Sequence, residues 1–107
     1  MKSIPAAVLT ATAFLALAAH AASQELGSAK RGEAIAKSVC AECHAVEKGE
    51  GGSRNAKAPR FQTLATTRGM TPMAIMVALR TSHQEMPNLV LSNREVDDLI
   101  AYFAVLK

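Results

Sequence analysis

Cys40-Ala41-Glu42-Cys43-His44 reads C-x-x-C-H, and the rest of the chain becomes legible from these five residues. Two thiols three positions apart can add across the two vinyl groups on one edge of a porphyrin, and the next side chain then swings under the iron. The pattern predicts one haem c, attached covalently through Cys40 and Cys43 and ligated on one face by His44. Two rival uses of the cysteines are weaker. A Cys40–Cys43 disulfide would close a tiny loop of the redox-active kind that sits near a βαβ pattern, and no strand pattern is present. Zinc would find Cys40, Cys43 and His44 but no second Cys or His pair at finger spacing.

Upstream of the motif, Lys2 precedes an uncharged run over residues 3–22 that ends in Ala19-His20-Ala21, a small-x-small cleavage pattern. The apolar centre is shorter than the roughly 20 residues that span a bilayer comfortably, and polar Ser23, Gln24 and Glu25 follow it. We read residues 1–21 as a secretory signal peptide and residues 22–107 as one domain in the periplasm. The rival is an uncleaved anchor holding the same domain at a membrane face. A core this small supplies only about 3–5 kcal/mol unaided, so a staple is expected. With no Trp, one Tyr and three Phe in the chain, a covalently held haem would supply the missing flat apolar surface.

The hydrophobic spacing predicts an all-α fold of three to four helices wrapped around that haem. The first covers residues 29–39 after Ser28 as N-cap, with Ala29, Gly32, Ile35, Ala36 and Val39 on its inner face. A loop rich in glycine and basic residues fills positions 46–59. A short helix after Pro59 turns Phe61, Leu64 and Ala65 inward and stops near Gly69. Thr71 caps the next helix, with Pro72 at its first position, and Met73, Ile75, Met76 and Leu79 run along it to about Ser82. Ser92 and Glu95 form an S-x-x-E capping box with Leu91 and Val96 as the staple around it. Val96, Leu99, Ile100, Phe103 and Leu106 then make a single stripe expected to pack on the first helix, where side-chain-free Gly32 admits Tyr102 or Leu99.

The second axial ligand decides whether a haem protein carries electrons or opens its iron to small molecules. The candidates are Met70, Met73, Met76, Met86 and His83. Met86 is favoured, because Pro87 forces it out of helical geometry onto a stiff extended segment. Met73 and Met76 on a helix suit the role of core gap-fillers better. His83 suits a haem-edge role, in which it would make the potential depend on pH.

With C-x-x-C-H after a Gly-containing helix, Ala58-Pro59, Met86-Pro87 and a last helix carrying Asp98-Leu99-Ile100-Ala101-Tyr102, the chain resembles the small bacterial monohaem class I cytochromes c over residues 28–106. The resemblance implies a compact cytochrome c fold whose terminal helices cross near the haem segment. It also implies that the Pro59 carbonyl accepts a hydrogen bond from the His44 ring, fixing its tautomer. At Ala36 many relatives carry an aromatic residue, so packing there is expected to be looser or completed by Phe103.

These readings converge on a periplasmic electron carrier cycling between Fe(II) and Fe(III) with His44 and Met86 as axial ligands, and not an enzyme. The alternative is a haem-containing, electron-accepting subunit of a periplasmic dehydrogenase complex. A peroxidase or gas-binding protein would need an open sixth site. The net charge of +3 falls to +2 once Lys2 is removed. It gives no support to nucleic-acid binding, because no aromatics interleave the cations. The partners expected are redox proteins, met as a monomer, with membrane contact only if the signal stays uncleaved. The basic residues between Lys48 and Arg68 fit a solvated loop or a docking face for an acidic partner.

Overall fold

Three of the helices begin where a hydroxyl can take an orphaned backbone N–H. The computed structural model describes residues 27–81 and 85–107; the expected signal peptide and His83 lie outside them. Among the described residues there are four α-helices and no strand: α1 Ala29–Ser38, α2 Phe61–Thr66, α3 Pro72–Arg80 and α4 Asn93–Val105, with a 3₁₀ turn Cys40–Glu42 after α1. Ser28 Oγ accepts from the Arg31 N–H at 3.2 Å and Thr71 Oγ1 from the Ala74 N–H at 3.1 Å. Both halves of the α4 capping box are formed: Ser92 Oγ accepts from the Glu95 N–H and Glu95 Oε2 from the Ser92 N–H. Among the described residues no helix is long and apolar enough to cross a membrane.

The helices differ from expectation at three points, two at their ends and one in the burial of a side chain. Val39 is the C-cap of α1, where the chain turns into the 3₁₀ segment, and it is 42% exposed instead of inward-facing. α2 ends at Thr66, before Gly69 supplies its left-handed φ of 83°. Met73 does not fill a core gap: it sits two residues from buried Ile75, about 200° around the helix, and is 62% exposed. Met76 and Leu79 are half-buried.

α1 crosses α4 through Gly32. A Cβ at Gly32 would stand 2.0 Å from the Asp98 carbonyl oxygen and 2.8 Å from the Tyr102 Cβ, so this crossing requires glycine. Gly27 is pressed as closely on the Asp97 carbonyl, at 1.9 Å from a would-be Cβ. The core beneath joins Ala36, Cys40, Val46, Phe61, Ala65, Ile75, Leu99, Tyr102, Phe103 and Leu106. Ala36 is fully buried, and the Phe103 ring stacks on Phe61 at 4.6 Å in the same core cluster.

Among the described residues Asp98 is the one buried charged residue, 2% exposed. Its Oδ1 accepts from the Ser28 N–H at 2.6 Å and Arg31 Nη2 at 3.0 Å, and its Oδ2 from Arg31 Nε at 2.9 Å. This bidentate pairing fastens the start of α1 to the middle of α4. The Arg31 guanidinium, with help from the Ser28 N–H, holds the Asp98 carboxyl below the usual carboxylate range against the opposing effect of burial. A depressed folded value means that the stabilisation is present above the unfolded pKa, about 3.9, and is lost as pH falls through the folded value. Asp98→Asn is expected to cost about 2 kcal/mol at neutral pH, within the range for hydrogen bonds to charged groups. The stabilities of the two proteins in urea unfolding should converge as pH falls below the usual carboxylate range; a gap of constant size would rule out this role.

Candidate functional site

The haem motif is folded by its own backbone. The N–H groups of Cys43 and His44 both donate to the Cys40 carbonyl, at 3.1 and 2.9 Å, which winds the five residues into one tight turn. Cys40 is buried and Cys43 half-buried, and the two sulfurs are not bridged to each other. Burial pushes the Cys40 thiol up to about 11, which keeps it neutral and slow in the thiolate exchange that a redox disulfide would require. Among the described residues no three His, Cys, Asp or Glu side chains gather in a metal-binding cluster.

His44 is the fixed point of the site. Its Nδ1 lies 2.6 Å from the Pro59 carbonyl oxygen. A carbonyl only accepts, so Nδ1 must carry the proton and Nε2 is left with its lone pair as a ligand atom. The Phe61 ring lies 5.3 Å from the imidazole at 57°, and through its stack on Phe103 it ties the histidine to α4.

Pro59 reaches this position because the loop before it is pinned at both ends. The Asn55 N–H donates to the Cys43 carbonyl at 3.1 Å and the Phe61 N–H to the Ala45 carbonyl at 2.9 Å, so the bonds flank His44 on either side. Glu50 Oε2 accepts from the N–H groups of Val46 and Glu47, at 2.8 and 2.9 Å, and Ser53 Oγ accepts from the Ala45 N–H at 2.9 Å. The Tyr102 hydroxyl donates to the Val46 carbonyl at 2.7 Å, binding the loop's start to α4. The basic residues here are partly engaged within the protein: Lys48 donates to the Lys107 carbonyl, Arg60 to the carbonyls of Glu50 and Gly51, and Lys57 pairs with Glu85. Lys37 bridges Glu33 and Glu47, linking α1 to the same loop, and these two carboxylates raise its pKa.

Met86 follows α3 in the segment leading to α4. It is half-buried and borders a cavity of about 210 Å³ shared with Leu79, Arg80, Pro87 and Leu89. Glu85, just before it, has a left-handed φ of 64°, so the chain reverses locally as it enters Met86-Pro87. The Glu85 carboxylate meets Lys57 Nζ at 2.7 Å, which joins the Met86 segment to the loop that holds His44.

The turn thus brings together Cys40, Cys43 and His44, and Pro59 joins them. Sequence reasoning missed Glu50, Asp98 and the Lys57–Glu85 pair. Only Glu50 left a local signal, as the acid three and four residues after two N–H groups leaving a turn. The donor set fits a covalently attached haem: two unbridged thiols and an imidazole whose distal nitrogen is free to bind iron.

The comparisons agree with this chemistry. Residues 27–103 match the family model described as "Cytochrome C oxidase, cbb3-type, subunit III". The chain is 31% identical over 93 residues to "Cytochrome c-552" of Bradyrhizobium diazoefficiens, across 87% of this chain and 88% of that protein. No solved structure matches the chain.

Proposed function

Because this chain belongs to the small class I monohaem cytochromes c, whose cofactor is covalently bound haem c, we propose that it carries single electrons in the periplasm with His44 and Met86 as axial ligands. The observation that carries this reading is the 2.6 Å bond between His44 Nδ1 and the Pro59 carbonyl. It turns the imidazole, sets its tautomer and makes Nε2 the more basic nitrogen. When bound, the haem supplies the Fe(II)/Fe(III) couple. Cys40 and Cys43 would attach it, and His44 and Met86 would hold its iron. A thioether from Met86 would favour the ferrous state and raise the potential relative to a second histidine. No acid, base or nucleophile is required of the protein. Residues 1–21 serve as the export signal in this reading, and the mature domain 22–107 acts as a monomer toward redox protein partners.

A second reading is favoured by the family model's own description, which is of a subunit of a larger oxidase. The present chain would then accept or pass electrons within a complex, of dehydrogenase or oxidase type, instead of diffusing freely.

One purification from the periplasm addresses both readings. The expected mass is that of the 22–107 polypeptide plus one haem, with a pyridine haemochrome spectrum of a haem joined by two thioethers. Its ferric form should show the weak near-infrared sulfur-to-iron band. A band-free ferric spectrum would dismiss Met86 as a ligand, and co-elution with a larger redox enzyme would select the subunit reading.

A further inference from the structure

We propose that the Lys57–Glu85 ion pair is an outer clamp that holds Met86 in place as the sixth ligand, making Lys57 and Glu85 positioning residues for ligation. The proposal rests on the reading of Met86 as that ligand. Lys57 Nζ and Glu85 Oε1 are 2.7 Å apart and separated by 28 residues, so the contact is a tertiary one. Each end is coupled directly to one side of the haem-binding apparatus. On the proximal side, Lys57 sits in a turn built by Asn55: its own N–H donates to Asn55 Oδ1 at 2.9 Å and the Ala58 N–H to the Asn55 carbonyl at 3.0 Å. Asn55 in turn donates its N–H to Cys43, inside the haem motif, and two residues after Lys57 the Pro59 carbonyl holds His44. On the distal side, Glu85 is the immediate neighbour of Met86 and carries the left-handed φ of 64°.

A non-glycine residue in that region is strained unless its surroundings hold it there. Glu85 is exposed and has no buried apolar anchor of its own, and its carboxylate is the part fastened to another segment. The clamp therefore fixes the entry to Met86-Pro87 from outside the pocket. Its energetic effect is that of a tether: while Lys57 holds Glu85, the Met86 thioether would be kept at a higher effective concentration for the sixth position than a competing small ligand. Both side chains are well exposed, at 74% and 55%, so the effect is modest and salt-sensitive.

The test uses the purified ferric holoprotein and imidazole as the competing ligand, at about pH 8, where free imidazole is mostly uncharged. Four proteins are titrated spectroscopically: wild type, Lys57→Gln, the charge swap Lys57→Glu with Glu85→Lys, and Met86→Ala. Lys57→Gln should bind imidazole about two- to five-fold more tightly than wild type, the range an exposed ion pair supplies. The swap should return toward the wild-type value. Raising salt to about 0.5 M should tighten imidazole binding to wild type and leave Lys57→Gln unchanged. Equal affinity and equal salt response in wild type and Lys57→Gln, with Met86→Ala binding far more tightly than either, would overturn the clamp and keep Met86 as ligand. Wild-type affinity in Met86→Ala would overturn the ligation reading, and the clamp with it.

Discussion

Met86→Ala is expected to open the iron while leaving the haem attached. Covalent attachment depends on Cys40 and Cys43, which lie in a turn closed by its own backbone bonds and remote in sequence from position 86. The variant should therefore retain the haemochrome spectrum and the mass of wild type. On the proposed ligation, what it loses is the internal competitor for the sixth position. If the thioether holds that position by about 3 kcal/mol, its removal raises the apparent affinity of the ferrous form for CO by about 100-fold. The near-infrared band of the ferric form should vanish in the same protein, and its potential should fall as the thioether's preference for Fe(II) is lost. Unchanged CO affinity would move the ligand role to another residue, with His83, Met70, Met73 and Met76 the remaining candidates. Of these, Met73 and Met76 lie on α3, within regular helix, where no proline stiffens the approach of the sulfur.

Gly32→Ala should be strongly damaging for a change of a single methyl group. Alanine in mid-helix normally gains about 1 kcal/mol over glycine. Here the added Cβ would lie 2.0 Å from the Asp98 carbonyl oxygen and 2.6 Å from its carbon, atoms of a helix backbone that cannot swing aside. α1 and α4 would have to separate, disturbing the Asp98 hydrogen bonds and the Tyr102 contact together. Overpacking of this kind costs about 3 kcal/mol, which outweighs the propensity gain. For a domain of this size a net loss of about 2 kcal/mol lowers Tm by about 8–16 °C. Gly51→Ala is the internal control, since a Cβ there meets nothing within 4 Å. Calorimetry showing equal Tm values for the two variants would contradict the close crossing.

The parts of this molecule that were legible in the sequence are those encoded by near neighbours. The Thr71-Pro72 start of α3 and the Ser92–Glu95 capping box each place the interacting atoms within four residues, and both formed as expected. Gly32 was readable as a close crossing because a missing side chain in a buried stripe has few other uses. The partners of Asp98 were not readable. Asp97 and Asp98 look alike in the sequence, and only the approach permitted by Gly32 and Gly27 turns one of them toward Ser28 and Arg31 while its neighbour stays exposed. The Lys57–Glu85 pair is hidden for the same reason, since nothing local tells a lysine in a basic loop which distant carboxylate it will meet. His44 and Pro59 fall between these cases: their 15-residue separation carries no periodic signal, and the bond between them was expected only from family resemblance.

The pinned loop after the haem motif has a practical consequence. The bonds from Asn55 to Cys43 and from Phe61 to Ala45 close the loop on either side of His44, so its ends are held apart from the exposed apex. Gly51 and Gly52 are exposed there, with open space where a side chain would be. The peptide bond between them is a permissive graft point. A cysteine-bearing tether inserted at that bond would immobilise the protein on an electrode in one orientation, leaving its ligand geometry undisturbed.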